Sequence, residues 1–229
     1  SHVLQNLDVE YLYEAPLAME EEHLAQVACE CLGLPCPEPN LSDWKAMCTA
    51  LKHPKGEVSV ALVGKYTQLH DAYISVVESL KHGGIANGVS VNIKWVDSEK
   101  VTAENVEEFL GDVSGIIVPG GFGDRGIEGM IQSIRYAREK KVPFLGLCLG
   151  MQLTIVEFTR DVVGYNDAHS VEFLPGTTHP VIHLMPDQEG IDDIGGTLRL
   201  GSYPCILDES SKAYALYGSK EIHERHRHR

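Results

Sequence analysis

Positive charge is scarce in this sequence of 229 residues, where 19 Lys and Arg face 33 Asp and Glu, giving a net charge of −14. A protein of that sign repels the phosphates of nucleic acids and of anionic lipids, so we expect no nucleic-acid partner. The sequence also lacks a long apolar run and a charged-then-apolar leader. We therefore expect no membrane segment and a cytoplasmic protein.

Cysteine is scarce as well, with six residues and no C-x-x-C pair. Four of them (Cys29, Cys31, Cys36, Cys48) lie in the first fifty residues, which raises the question of a zinc site. His53 has no second histidine at ligand spacing, so the sequence predicts no metal site. We interpret the four thiols as small hydrophobic side chains.

What the sequence does contain begins with a segment unlike the rest, residues 1–56. Apolar residues at helical spacing predict a helix over Leu17–Leu32, and the three prolines of residues 33–40 end it. Ser42 and Asp43 can cap a second short helix. Helices this short need a partner to pack against, so we expect a connector to an upstream domain.

Residues 57–229 change to a rhythm of buried strands and helices, which predicts an α/β domain with a mostly parallel open sheet and helices on both faces. Ligands of such sheets bind at the carboxyl ends of the strands. The predicted strands are 58–63, 89–96, 113–118 and 142–147, with weaker ones at 181–185 and from Gly195. The predicted helices are 71–84 with Asp71 as its cap, 103–110, 127–137 and 150–160.

One strand end carries the pattern Gly146-Leu147-Cys148-Leu149-Gly150, typical of a nucleophile elbow with sulfur in place of oxygen. The positive end of the following helix favours a thiolate on Cys148, and the Leu149 amide is placed to donate to an oxyanion. The glycine turn at Gly120-Gly121 offers a second donor. The pattern leaves open the alternative that Cys148 is an inert core thiol.

Other candidates carry less information. Lys65 follows a predicted strand, but the segment lacks the first glycine of a phosphate loop, which favours an ordinary turn. Glu172 is either a solvated loop acid or a ligand contact. The terminal alternation of Arg225, Arg227 and Arg229 with histidine predicts an exposed basic strand face.

Longer motifs carry a family resemblance. The segments 119–123 and 146–152 resemble the class I (triad) glutamine amidotransferases, whose fold is flavodoxin-like. The segments 65–67, 71–73, 122–129, 170–173, 195–201 and 224–229 are similar to the glutaminase domains of the CTP synthase family. Residues 13–17 resemble the end of a synthetase domain. The resemblance therefore implies a linker with the end of that domain in residues 1–56 and the amidotransferase domain in 57–229.

The resemblance also implies an activity. Cys148 attacks the carboxamide of L-glutamine and forms a thioester, and the released ammonia serves a synthetase domain that aminates UTP to CTP with ATP. Gly121 and Leu149 form the oxyanion hole. By charge, Glu172 suits the α-ammonium group of glutamine and Arg229 its α-carboxylate. The implied glutamine-binding residues are Gly121, Leu149, Gly150, Met151, Gln152, Glu172 and Arg229.

GTP is the activator that the resemblance implies, with a responsive region made of Phe122, Arg125, Gly126, Glu128 and Arg199. No cofactor is expected in this chain, because Mg²⁺ and ATP belong to the synthetase domain. A homo-oligomer, a tetramer in the family, is also implied.

The catalytic His and Glu of the family lie in a His-Pro-Glu motif downstream of the position matched by Arg229. His179-Pro180 is followed by Val181, so it is no substitute, and we expect this chain by itself to hydrolyse little glutamine. Two other hypotheses remain, a non-catalytic binding module and another triad amidotransferase such as a purine or carbamoyl-phosphate subunit. The segments 125–128 and 195–201 argue against the second.

Overall fold

The computed structural model of the chain describes residues 3–184 and 201–226. The described residues up to Val60 and Leu69–Lys94 form one unit, and Ala61–Gln68 with the described residues from Trp95 onward form the other. The first unit contains helices α1 (Ala15–Glu21), α2 (Leu24–Leu32), α3 (Ser42–Lys52) and α4 (Ile74–Asn87). Strands β1 (Glu57–Gly64) and β2 (Ser90–Asp97) begin in the first unit and end in the second.

The helix predicted over Leu17–Leu32 is two helices, α1 and α2. The chain turns between them at His23, whose backbone is left-handed with φ 58°. The carboxylate of Glu20 accepts a hydrogen bond from the Ala25 amide at 3.1 Å, at the start of α2. A side chain that satisfies a first-turn N–H starts a new helix, a local interaction that apolar periodicity does not reveal.

Helix α3 confirms the second predicted helix, but its cap differs. Ser42 and Asp43 are inside the helix, and Leu41 occupies the cap position without a side-chain hydrogen bond. The Asn40 side chain accepts from the Ser42 amide at 3.1 Å and from its hydroxyl at 2.7 Å. Asn40 thus takes the role predicted for Ser42.

Helix α4 begins and ends later than predicted. Asp71 lies in a 3-10 turn, His70–Tyr73, and makes no cap. The helix continues through Gly83 and Gly84 to Gly88, whose φ of 69° ends it. A Cβ on Gly84 would lie 2.6 Å from the carbonyl oxygen of Val89. Gly84 therefore permits a close backbone approach and does not terminate the helix.

A four-stranded parallel sheet in the order β2-β1-β3-β4 confirms the predicted fold class. Its other strands are β3 (Gly115–Val118) and β4 (Phe144–Gly146). They pair in parallel, with Ile116 opposite Phe144. All of β3 and the last four residues of β1 are buried. The flanking helices are α5 (Val106–Leu110), α6 (Ile127–Lys140) and α7 (Leu149–Phe158).

The apolar face of α6 is the predicted one. Ile127, Met130, Ile131, Ile134 and Ala137 are all at most 4% exposed and belong to the core of the second unit, together with residues of β1 and β3. Helix α5 is shorter than predicted, because the side chain of Asn105 accepts from the Thr102 amide at 2.7 Å and holds residues 102–105 in a turn.

The second unit continues beyond α7 with short elements: a π-helical turn Thr159–Val163, β5 (His169–Ser170), β6 (Pro180–Ile182), β7 (Gly201–Ile206), α8 (Lys212–Tyr217) and β8 (Glu221–His226). Strand β6 overlaps only the first two residues of the strand predicted at 181–185 and begins one residue earlier, at Pro180. The strand predicted from Gly195 lies outside the described residues. Arg225 is exposed and lies in the antiparallel partner of β7. Arg227 and Arg229 are outside the described part, so the predicted basic strand face stays a prediction. Among the described residues, no helix is long and apolar enough to cross a membrane.

Candidate active site

Cys148 occupies a strained turn between β4 and α7. Its backbone angles are φ 54° and ψ −107°, a conformation that residues other than glycine rarely adopt. The Leu147 amide donates to the Val118 carbonyl at 2.9 Å, which ties the start of this turn to β3. The Cys148 side chain is exposed. The structure therefore places this thiol at a surface, at the N-terminus of a helix, and not in the core.

The two glycines of the elbow are required by sterics. A Cβ on Gly146 would lie 2.7 Å from the backbone carbon and oxygen of Gly150. A Cβ on Gly150 would lie 2.0 Å from the carbonyl oxygen of Val118 in β3. Because both obstacles are backbone atoms, no rotamer change relieves the contact. This confirms the sequence argument that the turn leaves no room for side chains.

The glycine-rich loop after β3, residues 119–123, lies against the thiol. A Cβ on Gly120 would lie 3.3 Å from Cβ of Cys148 and 3.6 Å from its Sγ. A Cβ on Gly121 would lie 3.6 Å from Cδ2 of Leu149. Leu149 is the first residue of α7, so its N–H lies at the helix terminus, where no carbonyl of a preceding helical turn accepts a hydrogen bond from it. The structure thus brings together the residue predicted to be the nucleophile and the two residues predicted to donate to an oxyanion.

Lys65 contacts this glycine-rich loop, a contact that the sequence analysis did not predict. It directly follows β1, is only 4% exposed, and its Nζ donates to the carbonyl oxygens of Phe122, at 3.0 Å, and Gly123. Burial, helped by the charge of Arg125, lowers the pKa of this ammonium group. The sequence shows that Lys65 follows a buried strand. Only the strand order of the sheet shows that this strand neighbours β3 and the loop after it.

Four of the residues predicted to bind glutamine follow Cys148 directly in the first turn of α7. Gly150 and Gln152 are buried and Met151 is 44% exposed in the first turns of α7. Glu172 is half-buried, and its negative charge acts to raise the pKa of Lys65, so it lies within electrostatic reach of the loop. Arg229 lies outside the described residues.

A cavity of about 470 Å³ adjoins the start of α6. Three residues of the predicted GTP-responsive region, Arg125, Gly126 and Glu128, line it, together with His169. Phe122 is 83% exposed and does not line the cavity, and Arg199 lies outside the described residues.

Charged and polar groups of this cavity hold one another in place. The Arg125 guanidinium pairs with Glu99 and donates to the Lys65 carbonyl at 3.1 Å. Glu128 accepts from Arg160 at 3.1 Å. The buried hydroxyl of Ser98, another lining residue, has no hydrogen-bond partner among the described residues. The sequence analysis found neither Ser98 nor Glu99, because each follows β2 without a recognisable motif.

Two histidines of the second unit, His169 and His179, contact other groups. Nδ1 of His169 accepts from the Ser170 amide at 2.9 Å, and its Nε2 lies 3.9 Å from the Glu128 carboxylate. Nδ1 of His179 lies 2.5 Å from Asp167, and its ring stacks on Tyr165 with centroids 4.2 Å apart. Neither contact involves Cys148. No group of three His, Cys, Asp or Glu residues in the described ranges could hold a metal ion.

Comparison with known proteins agrees with this geometry. The sequence profile of the family Glutamine amidotransferase class-I matches residues 68–229. The CTP synthase of Clostridium acetobutylicum is 57% identical over 227 residues, which are 99% of this chain and 42% of that protein. The CTP synthase of Geobacillus kaustophilus is 53% identical over the same number of residues, 99% of this chain and 43% of that protein. The chain thus spans about two fifths of the length of these relatives.

Among solved structures, the chain is similar to the glutaminase domain of Trypanosoma brucei CTPS with bound acivicin. The TM-score is 0.64 and the identity 39%, over 75% of this chain and 67% of that one. The family profile covers most of the chain, including the glycine-rich loop and the Cys148 elbow. The chain therefore belongs to the class-I glutamine amidotransferase family.

Proposed function

We propose that this chain is the glutamine-hydrolysing domain of a CTP synthase, in which Cys148 releases ammonia from L-glutamine. The observation that carries the proposal is the elbow: an exposed thiol in a strained turn, at a helix N-terminus, with the Gly120-Gly121 backbone against it. The identity of more than half to CTP synthases over 99% of the chain supports the same assignment.

The proposed chemistry uses the thiolate of Cys148. Its sulfur forms a bond to the carboxamide carbon of glutamine, and the carbonyl oxygen becomes an oxyanion that accepts hydrogen bonds from the Gly121 and Leu149 amides. The proton that the Cys148 thiol gave up passes to the nitrogen, the C–N bond breaks, and ammonia leaves. Water attacks the remaining glutamyl thioester, which releases glutamate and restores the thiol.

Substrate binding in this proposal follows charge. Glu172 receives the α-ammonium group and Arg229 the α-carboxylate, while Gly150, Met151 and Gln152 line the site beside Cys148. The support from the structure is that the charge of Glu172 reaches Lys65, which itself lies against the glycine-rich loop.

The proposal extends to the partners of this domain. Ammonia passes to a synthetase domain that uses ATP and Mg²⁺ to aminate UTP, in a homotetramer. GTP acts through the region of Phe122, Arg125, Gly126, Glu128 and Arg199. The shared cavity of Arg125, Gly126 and Glu128 supports a common site for three of these residues. Relatives more than twice as long as this chain support a further domain.

The first test is labelling with a chloroketone analogue of glutamine, followed by mass mapping of the six cysteines. We expect Cys148 to react first. Burial raises the pKa of Cys48, and burial together with a hydrogen bond to Cys29 raises that of Cys36, so both carry less thiolate. Iodoacetamide, which does not resemble glutamine, is the control reagent. Even labelling of all six cysteines by the chloroketone would support an inert Cys148.

The second test measures ammonia release and CTP formation in the full-length protein that carries this sequence, supplied with glutamine, ATP and UTP. We expect Cys148→Ala to abolish glutamine-dependent CTP formation and to leave synthesis from added ammonium chloride intact. A protein that forms no CTP from either nitrogen source would refute the proposed synthetase partner. Retention of glutamine hydrolysis by Cys148→Ala would refute the role of the thiol.

A further inference from the structure

A buried ammonium group lies against the glycine-rich loop. Lys65 is 4% exposed, and its Nζ donates to two consecutive carbonyl oxygens, those of Phe122 and Gly123. The stem of the same side chain lies along Gly121, with Cδ 3.4 Å and Cε 3.6 Å from the position of a Cβ there. Three successive residues of the loop thus lie against one side chain.

The other end of the loop touches the nucleophile. Gly120 faces Cys148: a Cβ added at Gly120 would lie 3.6 Å from the Cys148 Sγ. The Gly121 peptide therefore lies between two fixed points, the elbow on one side and the Lys65 ammonium on the other. Since glycines carry no side chains that could pack, these points hold a segment that is intrinsically permissive in its backbone angles.

We infer that Lys65 is a positioning residue for the oxyanion hole. Its ammonium group holds the carbonyls of Phe122 and Gly123 and thereby orients the Gly121 N–H toward the oxygen that becomes negative when Cys148 attacks. The inference rests on the proposed function, because it assumes an oxyanion at this place. Charge-assisted hydrogen bonds in a buried setting are strong enough to hold a loop in one orientation.

Two features distinguish this role from that of a phosphate-binding or purely structural lysine. The ammonium group of Lys65 donates to two carbonyl groups of the glycine-rich loop, and a lysine that binds phosphate would leave its ammonium exposed to the ligand. The Arg125 guanidinium donates to the Lys65 backbone carbonyl at 3.1 Å and lies 6.0 Å from the ring of Tyr66, which fixes the backbone from which the ammonium reaches the loop.

The test compares Lys65→Met with Lys212→Met, which changes an exposed lysine of α8, in the full-length protein. The probe is the γ-aldehyde of glutamate, which adds to the Cys148 thiolate and forms a tetrahedral oxyanion without a leaving group. Loss of an oxyanion donor costs about 10²–10³-fold in turnover, and an imperfectly placed donor costs less. For Lys65→Met we expect kcat for glutamine to fall about 10- to 100-fold with little change in KM.

The decisive readout is the affinity for the aldehyde relative to KM for glutamine. We expect this ratio to worsen about 10- to 100-fold in Lys65→Met and to stay unchanged in Lys212→Met. Alkylation of Cys148 by iodoacetamide, which needs no oxyanion hole, should stay within about twofold. Lys65→Gln keeps an N–H donor and replaces the Met variant if the latter does not fold. Its ratio of aldehyde affinity to KM should worsen less than that of Lys65→Met.

An unchanged ratio in a folded Lys65 variant would overturn the inference and leave the proposed function standing. A different result, in which the native protein neither hydrolyses glutamine nor binds the aldehyde more tightly than Cys148→Ala does, would refute the proposed function itself, and the role of Lys65 falls with it.

Discussion

Replacement of Cys148 by glycine should remove the thiol that we propose as the nucleophile and should stabilise the protein. At φ 54° and ψ −107°, a residue with a Cβ atom is strained, by about 1–3 kcal/mol. Glycine adopts such angles freely but loses about 0.5–1 kcal/mol more backbone entropy on folding than alanine does. The net stabilisation should therefore be about 1 kcal/mol.

Cys148→Ala is the matched control, because it removes the same sulfur and keeps the Cβ atom that causes the strain. The difference between the glycine and alanine variants isolates the backbone contribution from every contact of the thiol. For a chain of this size, 1 kcal/mol corresponds to about 2–4 °C in Tm.

The assay is urea unfolding of both variants in a Trp44→Phe background, so that the fluorescence of Trp95 reports the second unit alone. We expect a higher midpoint for Cys148→Gly at the same dependence of the unfolding free energy on urea. A glycine variant no more stable than the alanine variant would show that the elbow stores no strain, and the reasoning from the backbone angles would be wrong.

Two further predictions concern α4 and an acidic side chain. Gly83→Ala should stabilise the protein by about 1 kcal/mol, because a Cβ there meets nothing within 4 Å. Gly84→Ala in the same helix should destabilise it by about 1–3 kcal/mol, because its Cβ would contact a backbone oxygen. Thermal unfolding of both variants measures these changes, and equal effects of the two substitutions would contradict the prediction. Hydrogen bonds from Thr178 and His179 hold the pKa of Asp167 well below its usual value, so its contribution to stability is present at neutral pH and is lost as the pH falls below about 4. Asp167→Asn should show a smaller loss of unfolding free energy between pH 5 and pH 2 than the native protein, and parallel curves would refute the linkage.

The sequence predicted the elements that depend on strong, repeated patterns. Helix α6 has its apolar stripe where the spacing of Ile127, Met130 and Ile134 placed it, and the sheet contains the four predicted strands. The errors come from single side-chain contacts. Glu20 starts a second helix by accepting from an N–H group, and Asn40 replaces the expected cap. Such contacts have no periodic signature, so composition and spacing do not reveal them.

The candidate site divides in the same way. The elbow was predictable because the turn has no room for a side chain at Gly146 or Gly150, and this requirement gives the sequence pattern Gly-x-Cys-x-Gly. The role of Lys65 was not predictable, because a lysine after a strand has many possible contacts. Only the structure shows that its ammonium group donates to the Phe122 carbonyl. The structure describes neither Arg199 nor Arg229, and the roles of all the predicted site residues stay predictions.

The strand order also bears on how the site comes into being during folding. Lys65, Gly121 and Cys148 follow β1, β3 and β4, and they meet only after β1 has paired with β3 and β3 with β4. Each pairing closes a long loop of chain, and such contacts form slowly because the entropy of closure is lost before the contact stabilises anything. A nascent or partly folded chain therefore carries Cys148 outside the elbow, and the arrangement proposed to activate this thiol forms only when both strand pairings of the sheet are in place.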